Sequence, residues 1–230
     1  MIKKALALLC VASCALPAMA AQSRSKLEAR LEAARTVIQQ IESVPDKSIP
    51  QEITENATCV GVVPGMKKAA FIFGGDYGQG VVTCRTGHGW SAPVFIKMTG
   101  GSWGLQIGGQ STDLVLVAVN QKGFQDLLNS KFKIGAGASA AAGPVGRNAQ
   151  MATNWKMQSE LLTWSRSRGL FAGIDLDGTV VAQNKDATSA FYGRRHSMES
   201  ILKGEVLPPA TARPFLETVA KYFRASVENR

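Results

Sequence analysis

The chain has 230 residues, 45% of them apolar and 19% charged, and a net charge of +9. This balance fits one folded domain, or two at most, and excludes a disordered chain, a collagen, a coiled-coil rod and a small disulfide scaffold. No apolar run approaches the roughly 18 residues a membrane-crossing helix needs.

Met1 to Ala20 reads as an export signal, expected to be removed from the mature protein. Lys3 and Lys4 precede an apolar run from Ala5 to Leu16, Pro17 breaks it, and Ala18-Met19-Ala20 supplies the small-x-small cleavage pattern. Val11-Ala12-Ser13-Cys14 also loosely matches a lipobox, in which Cys14 would carry lipid. Either outcome places the mature chain in the periplasm or outside the cell. Cys59 and Cys84 then remain, and two cysteines in an oxidising compartment suggest a disulfide, with a pair of buried free thiols as the alternative.

Next comes a predicted helix over Ser25 to Ser43. Leu27, Leu31, Ala34, Ile38 and Ile41 form one apolar stripe, and Ser25 with Glu28 makes a capping box. A helix packed on the core fits this stripe better than one lying on a membrane. After a turn region at Pro45 to Pro50, a short helix is expected to Ala57.

Glycine contributes 23 residues, eighteen of them between Gly61 and Gly146. Helix interiors disfavour glycine, so this stretch is expected to be strands and turns. Strand-like runs fall at Cys59 to Val63, Ala69 to Gly74, Gly80 to Arg85, Ser91 to Lys97, Gly104 to Gly109 and Asp113 to Val119. On this reading Lys67 and Lys68 occupy a turn. Asn120 caps a short helix to Asn129, and the small residues of Ile134 to Gly143 suit a closely packed strand.

Leu161 to Arg166 and Leu170 to Leu176 continue the strands, with Asp177-Gly178 as a hairpin turn. Short helices over Asp186 to Tyr192 and Ser197 to Lys203 end at Gly193 and Gly204, and Pro214 to Arg224 forms the last helix. The expected fold is α+β: one domain with a large, curved, mostly antiparallel Gly-rich sheet, towards a barrel, packed with an N-terminal amphipathic helix and a C-terminal helix.

Catalytic chemistry finds little support. His88 and His196 each stand alone, and Gly137-Ala138-Ser139-Ala140-Ala141 lacks the last glycine of a nucleophile elbow. Asp175-Leu176-Asp177-Gly178 lacks the downstream glutamate of a calcium loop, and the cysteines have no third ligand for a metal. No cofactor motif is present, and export with no recognition motif argues against nucleic acid. The cations are more informative, because Lys67, Lys68, Lys131, Lys133, Arg147, Arg166, Arg168, Arg194 and Arg195 offer a phosphate-binding surface. The tryptophans suit either a lipid interface or the core.

Gly87-His88-Gly89-Trp90-Ser91-Ala92-Pro93 resembles the G-x-W-S-x-P signature of the SYLF, or Ysc84-like, domain family. Gly143-Pro144-Val145-Gly146-Arg147-Asn148, the run from Ser165 to Gly173, and Phe191-Tyr192-Gly193 resemble further signatures in the same order. The resemblance covers about Leu31 to Tyr222 and implies a non-enzymatic lipid-binding module. Family members bind phosphoinositides and anionic membranes, some bind actin, and many carry an SH3 or FYVE domain alongside. With neither alongside, this chain resembles the stand-alone bacterial branch.

The expected function is association with anionic, phosphoinositide-like phospholipid membranes through Lys67, Lys68, Arg147, Arg166, Arg168, Arg194 and Arg195. A signal at residues 1–20 would precede a single domain at 21–230, without cofactor or metal and with no protein partner specified. The alternatives are an envelope domain docking proteins through its sheet and a lipid hydrolase using Ser139 or a histidine.

Overall fold

The computed structural model describes residues 15–44, 48–70, 73–103, 108–129, 131–135, 140–143, 161–167, 170–171 and 176–224. The first helix, α1, spans Ala15–Glu42. It starts ten residues before the expected Ser25, which lies inside it and is not its cap. The predicted stripe is confirmed, with Leu27, Leu31, Ala34, Ile38 and Ile41 all buried against the domain. Pro50 then precedes α2 (Gln51–Asn56).

The centre of the molecule is a ten-stranded sheet. Its strands are β1 (Cys59–Ala70), β2 (Phe73–Thr86), β3 (Gly89–Trp90), β4 (Val94–Trp103), β5 (Gly108–Ala118), β6 (Lys131–Lys133), β7 (Ala140–Ala142), β8 (Leu161–Ser167), β9 (Leu170–Phe171) and β10 (Val180–Gln183). The order is β6-β10-β4-β2-β1-β5-β8-β7, with β3 on β2 and β9 on β8. Every pairing is antiparallel except β7 with β8. Between and after the strands lie α3 (Gln121–Leu128), α4 (Lys185–Tyr192), α5 (Met198–Leu202) and α6 (Arg213–Tyr222).

Both faces of the central strands are buried, so they read as continuous apolar runs and do not alternate. Val60, Val62, Val81, Phe95, Val115, Val117, Leu162 and Trp164 point towards α1, α2, α4 and α6. Val63, Met66, Val82, Ile96, Met98, Leu114 and Leu116 form a second core with Leu127 of α3, Phe132 of β6 and Ile201 of α5. Residues from opposite ends of the strand order, Phe132 and Leu161, share that second core, as a curved, half-barrel sheet requires.

Two expectations change at this level. Pro64-Gly65 is not a turn but a bulge inside β1, so Lys67 and Lys68 lie on a continuous strand. Gly65 takes φ +58° and its N–H donates to Asp113 Oδ1 at 2.9 Å, an arrangement that absorbs the extra residue without ending the strand. Asp177-Gly178 does form a turn, but it leads into β10, which pairs with β4 and β6. The three-residue β6 carries no periodicity from which it could be predicted.

Close approach explains two glycines. A Cβ at Gly80 would lie 2.2 Å from the Val62 carbonyl oxygen, and one at Gly143 would lie 2.1 Å from Trp164 Cζ2. Asn120 caps α3 as expected, accepting from Gly123 N at 2.8 Å, and Gly193 ends α4 with φ +73°. The cysteines form the disulfide Cys59–Cys84, joining directly paired positions of β1 and β2.

Candidate functional surface

The helices leave part of their own sheet face uncovered. Directly paired residues in neighbouring strands point to the same side, so register defines the exposed rows. One row runs Ser111, Lys67, Tyr77, Thr99, Val180 and Lys133 across β5, β1, β2, β4, β10 and β6. The next runs Gln79, Lys97, Ala182 and Lys131. These rows share a face with Val81 and Phe95, yet lie beyond the helix cover. Lys67, Lys97, Lys131, Lys133, Thr99 and Ser111 are exposed, and Tyr77 is 48% exposed.

Strand spacing sets the scale of this surface. Lys67 and Lys133 are four strand steps apart, about 19 Å, and Lys97 and Lys131 are two steps apart, about 10 Å. Neither row contains a carboxylate. One row further out, Gly75 and Gly101 present exposed backbone, which keeps the surface low and flat. The arrangement can place several ammonium groups against one broad anionic surface.

The predicted site residues divide around this face. Lys67 lies within it, and Lys68 is its neighbour on β1. Arg166 sits opposite Asp113, half-buried, and its Nη1 donates to Gln40 Oε1 of α1 at 2.9 Å. Arg194 and Arg195 are exposed just after α4, with Arg194 Nε donating to His196 Nε2 at 3.0 Å. The adjacent Tyr192 hydroxyl is held by the Pro93 carbonyl at 2.7 Å. That anchor lies six residues before Thr99, about 20 Å along β4, so these arginines and Lys67 do not form one patch. Arg147, Arg168 and Ser139 lie outside the described residues.

Lys97, Tyr77 and Gln79 are missed by reading the sequence alone. Lys131 and Lys133 stand out by charge, but not by their place on a sheet. The two tryptophans with described side chains serve the core: Trp164 is buried, and Trp90 packs edge-on against Phe223, 6.2 Å between centroids. Arg85 also has a structural place. Its guanidinium lies 4.8 Å above the Trp90 ring and donates to the carbonyls of Ala57 and Phe223, each at 3.0 Å.

The comparisons with known proteins identify the family. The family model described as "Ysc84: Las17-binding protein actin regulator" matches residues 99–222, which include three of the four sequence signatures. LAS seventeen-binding protein 3 of Saccharomyces cerevisiae is 32% identical over 190 residues, covering 79% of this chain and 41% of that protein. SH3 domain-containing YSC84-like protein 1 of Mus musculus is 31% identical over 180 residues, covering 77% of this chain and 53% of that protein. The chain therefore spans roughly half of these relatives or less. Their names describe binding and an SH3 domain and not a catalysed reaction. The chain belongs to the Ysc84, or SYLF, family.

Proposed function

We propose that this domain is a non-enzymatic module that adsorbs to anionic phospholipid membranes, phosphoinositide-like surfaces included. The observation carrying this reading is the uncovered sheet face, where Lys67, Lys97, Lys131 and Lys133 occupy two rows without a carboxylate. A lysine close to an anionic bilayer contributes about 1 kcal/mol, so four acting together contribute about 4 kcal/mol. Lys68, Arg147, Arg168, Arg194 and Arg195 add positive charge around the domain and strengthen its long-range attraction. Arg166 is the exception in this scheme, because its half-buried guanidinium is used to hold α1.

Export belongs to the same reading. Cleavage after Ala20 would start the mature chain within α1 and free Ser25 to cap the remaining helix. The names of the relatives favour one second reading, in which the domain docks an acidic protein surface on this face.

Flotation with liposomes separates the two. The full chain is mixed with neutral phosphatidylcholine vesicles or with vesicles containing phosphatidylglycerol or cardiolipin, at low and high salt. Binding to the anionic vesicles alone, lost at high salt, supports the membrane reading. Absence of binding to every vesicle overturns it and leaves protein docking.

A further inference from the structure

Adsorption by charge uses the lysines of the open face and leaves its aromatic side chain unexplained. Tyr77 on β2 is 48% exposed, and its phenol does not stand up from the sheet. The hydroxyl oxygen accepts from Gln79 Nε2, two residues on along the same strand and so on the same face. Two extended residues span about 7 Å, nearly the full reach of a tyrosine, so the ring must lean along β2 for this bond to form. One face of the ring is then turned to the sheet and the other to solvent.

The surroundings keep that outer face open. Lys67 and Thr99, directly paired with Tyr77 on either side, are themselves exposed. Behind the ring the sheet is bare: a Cβ at Gly75 would meet nothing within 4 Å, and Gly75 pairs with Gly101. Ahead of it Gln79 pairs with Lys97. Ser111, beyond Lys67 in the same row, adds a second exposed hydroxyl.

A ring lying flat, bordered by hydroxyl and amide groups, matches a partner with an apolar face and a polar rim. A sugar ring has this form. Its axial C–H groups carry slight positive charge that complements the negative face of the phenol, and its hydroxyls reach sideways to donors and acceptors. The adjoining lysines, in rows without a carboxylate, select a partner that is also negative.

We propose that Tyr77 is the stacking platform of a binding site for an acidic polysaccharide, a polymer of carboxylate-bearing sugars whose charges pair with Lys67 and Lys97. Lys131 and Lys133, further along the same two rows, extend the site to the following sugars. The site rests on the export reading for access to such a polymer and is independent of membrane adsorption.

The test measures binding of the full chain to alginate and, at matched carboxylate concentration, to polyglutamate, which carries the charge without sugar rings. Wild type, Tyr77→Ala and Lys67→Gln are compared, and phosphatidylglycerol vesicles are run in parallel. Both side chains are exposed, so each variant should keep its melting temperature. The expected result is binding to alginate about tenfold tighter than to polyglutamate, lowered to the polyglutamate level in Tyr77→Ala. Vesicle binding of Tyr77→Ala is expected to be unchanged, and Lys67→Gln to weaken binding to both polymers. Equal binding to both polymers, unaffected by Tyr77→Ala, overturns the stacking site and leaves a face that reads charge alone. Absence of alginate binding with vesicle binding intact overturns the site and leaves membrane adsorption standing; absence of both overturns both. Alginate binding that depends on Tyr77, without vesicle binding, supports the site and overturns the membrane reading.

Discussion

Lys67 on β1 and Tyr77 on β2 are directly paired across the antiparallel ladder, both exposed, at the edge of the surface that the helices leave open. The pairing depends on the Pro64-Gly65 bulge. Were the same residues regularly extended with no bulge, every side chain of β1 from Met66 onward would change face. Lys67 would then enter the second core, and Met66 would take its place in solvent. A local backbone irregularity therefore decides which residue faces the proposed membrane.

Gly80 is expected to tolerate no side chain. Gly80→Ala places a methyl group 2.2 Å from the Val62 carbonyl oxygen, and backbone must move to accommodate it. The expected loss is about 1–3 kcal/mol, as for other overpacked sites. A lowered urea midpoint checks this, and an unchanged midpoint contradicts it.

Much of this packing was legible in the sequence. The stripe of α1, the Asn120 cap, the Gly193 stop and the buried Phe215, Val219 and Phe223 follow from local periodicity and capping chemistry. The lysine face does not. Its rows combine positions 67, 77, 99, 180 and 133, which only strand order brings together. Pro64-Gly65 also has the composition of a turn, and only pairing with β5 distinguishes a bulge from one.

Glu42 gives the fold a pH dependence. Burial raises its carboxyl pKa from 4.5 to about 7, offset in part by the N–H of Ile49. The native state therefore binds its proton more tightly than the unfolded chain does. This contribution is complete below the unfolded value and is lost as pH rises through about 7. The loss is on the order of 3 kcal/mol. Glu42→Gln is expected to flatten that slope between acidic and mildly alkaline pH in urea titrations; an unchanged slope contradicts the assignment.

The Cys59–Cys84 disulfide closes a sequence separation of 25 residues. For a loop of this length, reduction is expected to lower stability by about 3 kcal/mol, mainly by releasing the unfolded chain. Melting curves with and without reductant test this, with the Cys59→Ala, Cys84→Ala double variant expected to match the reduced protein.

Arg166 is expected to act on stability and not on membrane binding. Arg166→Ala removes the 2.9 Å bond to Gln40 Oε1, a loss of about 1–3 kcal/mol for a bond with one charged partner. Its vesicle affinity, measured while folded, should equal that of the wild type. Reduced affinity at unchanged stability would return Arg166 to the membrane contact.

The most direct test of the membrane face replaces Lys67, Lys97, Lys131 and Lys133 together with glutamine and compares the variant with the wild type on phosphatidylglycerol vesicles at low salt. All four side chains are exposed, so the melting temperature should hold. The predicted result is a fall in partitioning of about 10²–10³-fold, from about 1 kcal/mol for each lysine. Wild-type partitioning in the folded variant would contradict the account.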